Sequence, residues 1–223
     1  DLMPATDARE LINMLPLTQY CEKRPGYREH ASGVGSGDVE YIGSLYTSAG
    51  AETLLASSST NLYSATTYNT AATSLGSGFT SGKWLDCQFR DYIFLVNGTD
   101  TEQRWDGTTL TAMTLTGPSN PIECICSYRE NVYWAEGGNL WYNATAAAVA
   151  TTQTLTQFDV LSNFGRGGKI SFITPWSRST GAGEETLFVI VSTRGDIVIY
   201  GGSDPSSWGL VRTAKIPPPL SNK

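Results

Sequence analysis

Apolar residues in this chain fall in short β-branched and aromatic runs separated by turn residues. The clearest pair lies in Glu185 to Gly202, ETLFVIVSTRGDIVIYGG. Leu187 to Val191 and Ile197 to Tyr200 are too short for lone helices and read as two strands of a hairpin. Between them Gly195 supplies the positive φ that a tight reversal needs, and Asp196 is expected to close the turn through its side chain. The run from Leu187 to Val191 is apolar on both faces, which predicts a strand covered from two sides. An Asp at Val189 or Val191 is therefore expected to stop folding by burying an unpaired charge.

The same rhythm recurs along the chain. Strands are expected at Val39 to Thr47, Glu52 to Ser57, Asn61 to Ala65 and near Ala71 to Leu75. A second round covers Trp84 to Phe89, Asp91 to Val96, Glu102 to Trp105 and Leu110 to Leu115; a third covers Ile122 to Tyr128, Asn131 to Ala135, Asn139 to Tyr142 and Leu155 to Phe158. The fourth is Lys169 to Thr174, the hairpin, and Trp208 to Ile216. Each third strand carries an aromatic, Tyr63, Trp105, Trp141 and Tyr200, and the last interval is stretched by a loop insertion around Ser177 to Gly183. Four strands in about 40 residues make one blade of a β-propeller, so the expected fold is all-β, a propeller of four-stranded blades. A sandwich or barrel is the alternative. The Trp105-Asp106 dipeptide occurs once and carries no repeat signal. Ahead of the rounds, Ala8 to Leu15 has the pattern of two helical turns capped by Asp7, but Pro16 and Pro25 break the segment, and an extended arm fits equally well. Gly33 to Gly37 reads as a joint.

Composition sharpens this picture mostly by exclusion. A net charge of -6 argues against a surface that grips phosphates. Cys124 and Cys126 sit one residue apart on a strand, where side chains share a face without forming an ordinary disulfide. Cys21 and Cys87 complete no zinc spacing, so reduced thiols are expected. There is no apolar run of about 18 residues, and hence no membrane-spanning segment is expected.

Catalytic chemistry finds little support. The single histidine, His30, lies in the arm and cannot serve a serine triad without a nucleophile elbow. Asp86, Asp91, Glu123 and Glu130 are the carboxylates that a glycan-cleaving propeller would use, yet Asp91 and Glu130 fall at reversals, where turn closure is the simpler role. Trp and Tyr on strands are expected in the core, not on sugars. Gly165-Arg166-Gly167-Gly168 is followed by no helix pattern and makes a poor phosphate loop. Asn97-Gly98-Thr99 and Asn143-Ala144-Thr145 are read as turns. No catalytic, metal-binding or cofactor-binding residue is assigned, and no enzyme activity is expected.

Two segments carry a family resemblance. Glu10 to Val34, with Cys21, Arg24, Gly26, Tyr27, His30 and Ala31 in order, resembles the opening of tail nozzle, or packaged-DNA stabilisation, proteins of short-tailed bacteriophages. Phe164 to Gly168 and the stretch from Leu187 through Ile216 to Leu220 resemble their closing region. The resemblance implies a structural virion protein, assembled in the bacterial cytoplasm, whose subunits form a hexameric ring below the head-to-tail adaptor and beside tail fibres or spikes. DNA would pass through it without tight binding, and no catalytic residue carries over. The expected organisation is an arm over 1–34, blades over 35–216, and a Pro-rich exit segment over 217–223 leading to further residues. The alternative is a propeller that binds or cleaves receptor glycan.

Overall fold

The computed structural model describes residues 14–16, 21–23, 28–143, 148–179 and 183–217. The chain divides into two units, Asp1–His30 and Ala31–Lys223. In the first, β1 (Met14–Pro16) pairs antiparallel with β2 (Cys21–Lys23). The helical pattern expected over Ala8 to Leu15 is therefore strand at its described end, and 8–13 and the matching run Arg24 to Tyr27 lie outside the described residues. Residues 31–34, expected in the arm, belong to the second unit, where β3 (Ala31–Ser32) pairs in parallel with Thr70–Ala71.

The second unit is all-β and contains four four-stranded antiparallel sheets in chain order. Sheet 1 is β4 (Val39–Tyr46), β5 (Glu52–Ser58), β6 (Asn61–Ser64) and, after the short β7 (Thr70–Ala71) that holds β3, β8 (Thr73–Ser77). Sheet 2 is β9 (Leu85–Phe89), β10 (Tyr92–Val96), β11 (Gln103–Trp105) and β12 (Leu110–Ala112). The linking β13 (Thr114–Thr116) leads on to sheet 3, which is β14 (Cys124–Tyr128), β15 (Asn131–Glu136), β16 (Asn139–Tyr142) and, after the short β17 (Thr152–Thr154), β18 (Thr156–Phe158). Sheet 4 is β19 (Ile170–Ser179), β20 (Glu184–Ser192), β21 (Asp196–Gly201) and β22 (Gly209–Lys215). β13 pairs in parallel with β17 just as β3 pairs with β7. The helices among the described residues are two short 3-10 turns, Leu161–Asn163 and Pro205–Ser207. No described helix is long and apolar enough to cross a membrane.

Each sheet packs on the next, with the first strands β4, β9, β14 and β19 adjacent in that order. Alternation gives every sheet a leading face toward the preceding sheet and a trailing face toward the following one. Tyr41, Leu45 and Leu55 meet Ile93, Leu95 and Trp105 between sheets 1 and 2. Phe94 and Val96 meet Ile125, Val132 and Trp134 between sheets 2 and 3, with Phe94 and Trp134 edge to face at 5.6 Å. Tyr133 and Ala135 meet Phe188, Ile190 and Tyr200 between sheets 3 and 4, where the Tyr128 hydroxyl also donates to the Thr186 carbonyl at 2.8 Å.

The recurrent aromatics occupy one place in this plan. Tyr63, Trp105, Trp141 and Tyr200 lie on the third strands and oppose Ala56, Ile93, Trp134 and Phe188, all on leading faces. Two expectations for sheet 4 change. The insertion around Ser177 to Gly183 is largely a continuation of the β19–β20 hairpin, braced by Arg178 and Glu185 at 2.7 Å, with 180–182 outside the described residues. Within β20, Phe188 and Ile190 are the fully buried positions on the leading face. Val189 and Val191 point the other way; Val191 is buried there as expected, whereas Val189 is only half-buried.

Candidate functional site

The carboxylates that sequence reading singled out are dispersed and mostly engaged. Asp91 accepts from the Ser48 amide at 2.5 Å and its hydroxyl at 2.9 Å, so it ties the first reversal of sheet 2 to that of sheet 1 and does not close its own turn. These bonds hold its carboxyl below the usual Asp range. Glu130 reaches Arg90 in the preceding sheet's turn at 3.6 Å, and Glu123 pairs with Lys169 at 3.2 Å. The turns themselves are made by Arg90 and Arg129, at φ 55 and 53, each stacked over the aromatic before it. Asp86 lies on β9 with its side chain exposed, yet crowding by protein around its carboxyl raises the pKa.

His30 is exposed, and the described residues hold no cluster of three His, Cys, Asp or Glu fit for a metal. Cys87, Cys124 and Cys126 are free and buried, and burial raises their thiols to about 11, 11 and 12. Thiols of that kind are poor nucleophiles at neutral pH. Three clefts, lined by Ser64 to Thr73, by Thr99 to Pro121 and by Asp38 to Gly82 segments, contain no Trp or Tyr for a sugar to stack on.

A different set of acids does the joining, and sequence reading missed it. Near the second reversal of each of sheets 2 to 4, one carboxylate captures the segment that enters the sheet from its predecessor. Asp100 accepts from the Thr80 amide at 2.8 Å, the Ser81 amide at 3.4 Å and the Asn97 amide side chain at 2.7 Å. Glu136, buried at 4% exposure, takes the Asn120 amide at 2.9 Å, the Ser119 amide at 3.3 Å and the Trp141 indole at 3.2 Å. Asp196, buried at 2%, takes the Arg166 amide at 2.7 Å. Burial pushes Asp100 and Glu136 upward, but the bonds they accept outweigh it and leave both below their ordinary values. Each entering segment has amides with no strand partner, and a carboxylate is the acceptor that can satisfy several at once.

The fourth latch explains why the Gly-rich loop, the hairpin turn and the exit strand belong together. Asp196 is spent on Arg166, so the turn is closed instead by Ser192, whose Oγ accepts from the Arg194 and Asp196 amides at 3.2 and 3.0 Å. Arg166 Nη1 donates to the Ile216 carbonyl at 2.9 Å, and Arg194 Nη1 donates back to the Arg166 carbonyl at 3.1 Å. Gly195 has φ 82, and a Cβ there would collide with the Ile216 carbonyl. A pattern could have revealed this: Gly165-Arg166-Gly167-Gly168 precedes sheet 4 by the length of a connector, where Thr80-Ser81 and Ser119-Asn120 precede sheets 2 and 3.

No protein-family model and no curated protein matches the chain. What the arrangement can do chemically is fasten sheets to one another.

Proposed function

We propose that this chain is a structural subunit of a short bacteriophage tail, a β-propeller that extends the DNA channel below the head-to-tail adaptor. One observation carries the reading: four antiparallel four-stranded sheets follow one another with their first strands adjacent, as blades do around an axis. The segments that resemble the tail nozzle family support it further, since Gly165 to Gly168, Ser192 to Asp196 and Ile216 converge on one junction. In this reading the subunits form a hexameric ring in the virion, assembled in the host cytoplasm, contacting the adaptor and the fibres or spikes.

DNA would slide past without being held. The charged residues on the first strands are Glu40, Asp86 and Arg178, and Arg178 is neutralised by Glu185. A surface of that kind releases few counterions on contact with DNA, which is what a conduit requires. Cryo-electron microscopy of particles carrying this chain tests the proposal. A sixfold ring of its density on the tail axis is the expected result, and its absence from the tail would overturn the assignment.

A further inference from the structure

The junction between the Gly-rich loop and the last hairpin turn gathers cations as well as hydrogen bonds. Arg166 and Arg194 are both exposed, and each holds the other in place through one nitrogen. Arg166 Nη1 donates to the Ile216 carbonyl at 2.9 Å and to the Arg194 carbonyl at 3.4 Å, and Arg194 Nη1 returns a bond to the Arg166 carbonyl at 3.1 Å. The loop lies this close because Gly168 has no side chain: a Cβ there would come within 2.8 Å of Thr193 Oγ1 and 3.1 Å of Arg194 Cγ. Lys215, the cross-strand partner of Asp196, brings a third cation, its Nζ 3.2 Å from the place a Gly165 Cβ would take.

No described carboxylate neutralises these three. The ion pairs among the described residues are Arg90 with Glu130, Lys169 with Glu123 and Arg178 with Glu185. Asp196, the carboxylate of the junction, is buried and accepts from the Arg166 amide. Nε and Nη2 of both arginines meet no described acceptor. The place does not depend on what packs on sheet 4. At the two preceding junctions, each with a sheet following, Thr80 and Thr99 in one and Ser119 and Asn120 in the other stay exposed.

We infer that Arg166 and Arg194, with Lys215 beside them, form a binding site for a phosphate group. A guanidinium fork matches a pair of phosphate oxygens, and a tetrahedral oxyanion can meet two forks and an ammonium at once, whereas a carboxylate fills one fork. The chain as a whole carries a charge of -6, so this corner is a local exception and not a face that grips a polyanion. The inference stands apart from the tail reading, because inorganic phosphate and a nucleic-acid backbone offer the same oxygens.

The test is isothermal titration calorimetry of the whole chain with inorganic phosphate at constant ionic strength, repeated with acetate. One phosphate is expected to bind per chain with a Kd of about 1 mM, and acetate about tenfold more weakly. Arg194→Lys keeps the charge and removes the fork, and should weaken phosphate binding about tenfold. Should that variant unfold, Lys215→Gln replaces it, since Lys215 Nζ bonds to no described group, and should weaken binding about threefold. A DNA duplex of about 20 base pairs at low salt separates the sources. Duplex binding that Arg194→Lys abolishes assigns the site to backbone phosphate; phosphate binding without duplex binding assigns it to a free phosphate or phosphomonoester. No phosphate binding below about 20 mM, equal affinity for acetate, or affinity unchanged in both variants overturns the inference.

Discussion

Sheets 2 and 4 carry similar second strands and live in different surroundings. In β10, Ile93 and Leu95 are buried against sheet 1, and Phe94 and Val96 against sheet 3. In β20, Phe188 and Ile190 are buried against sheet 3, while on the other side Leu187 and Val191 are buried and Val189 between them is only half-buried beside exposed Phe172 and Trp176. An apolar residue on both sides of a strand thus marks two faces built for burial, but each face needs its own neighbour. The hydrophobic gain is proportional to area removed from water, so the same valine is worth far more on one side of a sheet than on the other.

The largest expected effect breaks this comparison if it is wrong. Ile190→Asp places a charge between sheets 3 and 4 and should cost more than about 4 kcal/mol, enough to prevent folding. Val189→Asp, one residue away on the outer face, should cost about 1 kcal/mol and leave a folded chain. Urea denaturation of both variants decides; equal losses would mean that the outer face of sheet 4 is covered within the chain.

The latches sharpen the comparison from sheet faces to sheet connections. Glu136→Ala strands the Ser119 and Asn120 amides and the Trp141 indole, and should cost about 1–3 kcal/mol in chemical denaturation. Glu136→Gln keeps an acceptor and should recover part of that loss.

Acid should act on the same connections. Asp100 and Glu136 have folded-state pKa values below their ordinary 3.8 and 4.5, so the folded state binds fewer protons than the unfolded one as pH falls through that range. Their contribution is present in full above pH 4.5 and is lost as pH drops through the folded values. The Asp100→Asn, Glu136→Gln double variant is expected to be less stable at neutral pH but to lose less on acidification, measured as unfolding midpoints from pH 7 to 3. An acid limb as steep as that of wild type would assign it to other groups.

The smallest effect belongs to the turn contacts. Arg90 and Glu130 are 51% and 86% exposed, so Arg90→Ala should change stability by less than about 0.5 kcal/mol. A loss several times larger would show that the row of turns couples the sheets more tightly than their faces do.

The four strands of each round, their order and the aromatic at the third strand were legible because each depends on neighbours close in sequence, whereas the short β3, β7, β13 and β17, which pair in parallel across long separations, were not. Gly195 was legible for the same reason. Asp196 was misassigned because its nearest acceptor role is local, and nothing in the run STRGD reveals that a loop 30 residues earlier brings an unsatisfied amide to it. Asp91 and Glu130 were likewise assigned to their own turns, while the fold spends them on the turns of the preceding sheets.

By itself the sequence determined the all-β class, the division into four rounds of four strands, and the reversals between them, since period, turn chemistry and β-branching act over a few residues. Only the tertiary structure decided which side of each strand is buried, which carboxylates join one sheet to the next, and that Ile42, Tyr46, Phe172 and Trp176 stand exposed on the first and last of the four sheets. Those depend on which sheets become neighbours, and burial and amide satisfaction are properties of neighbours in space.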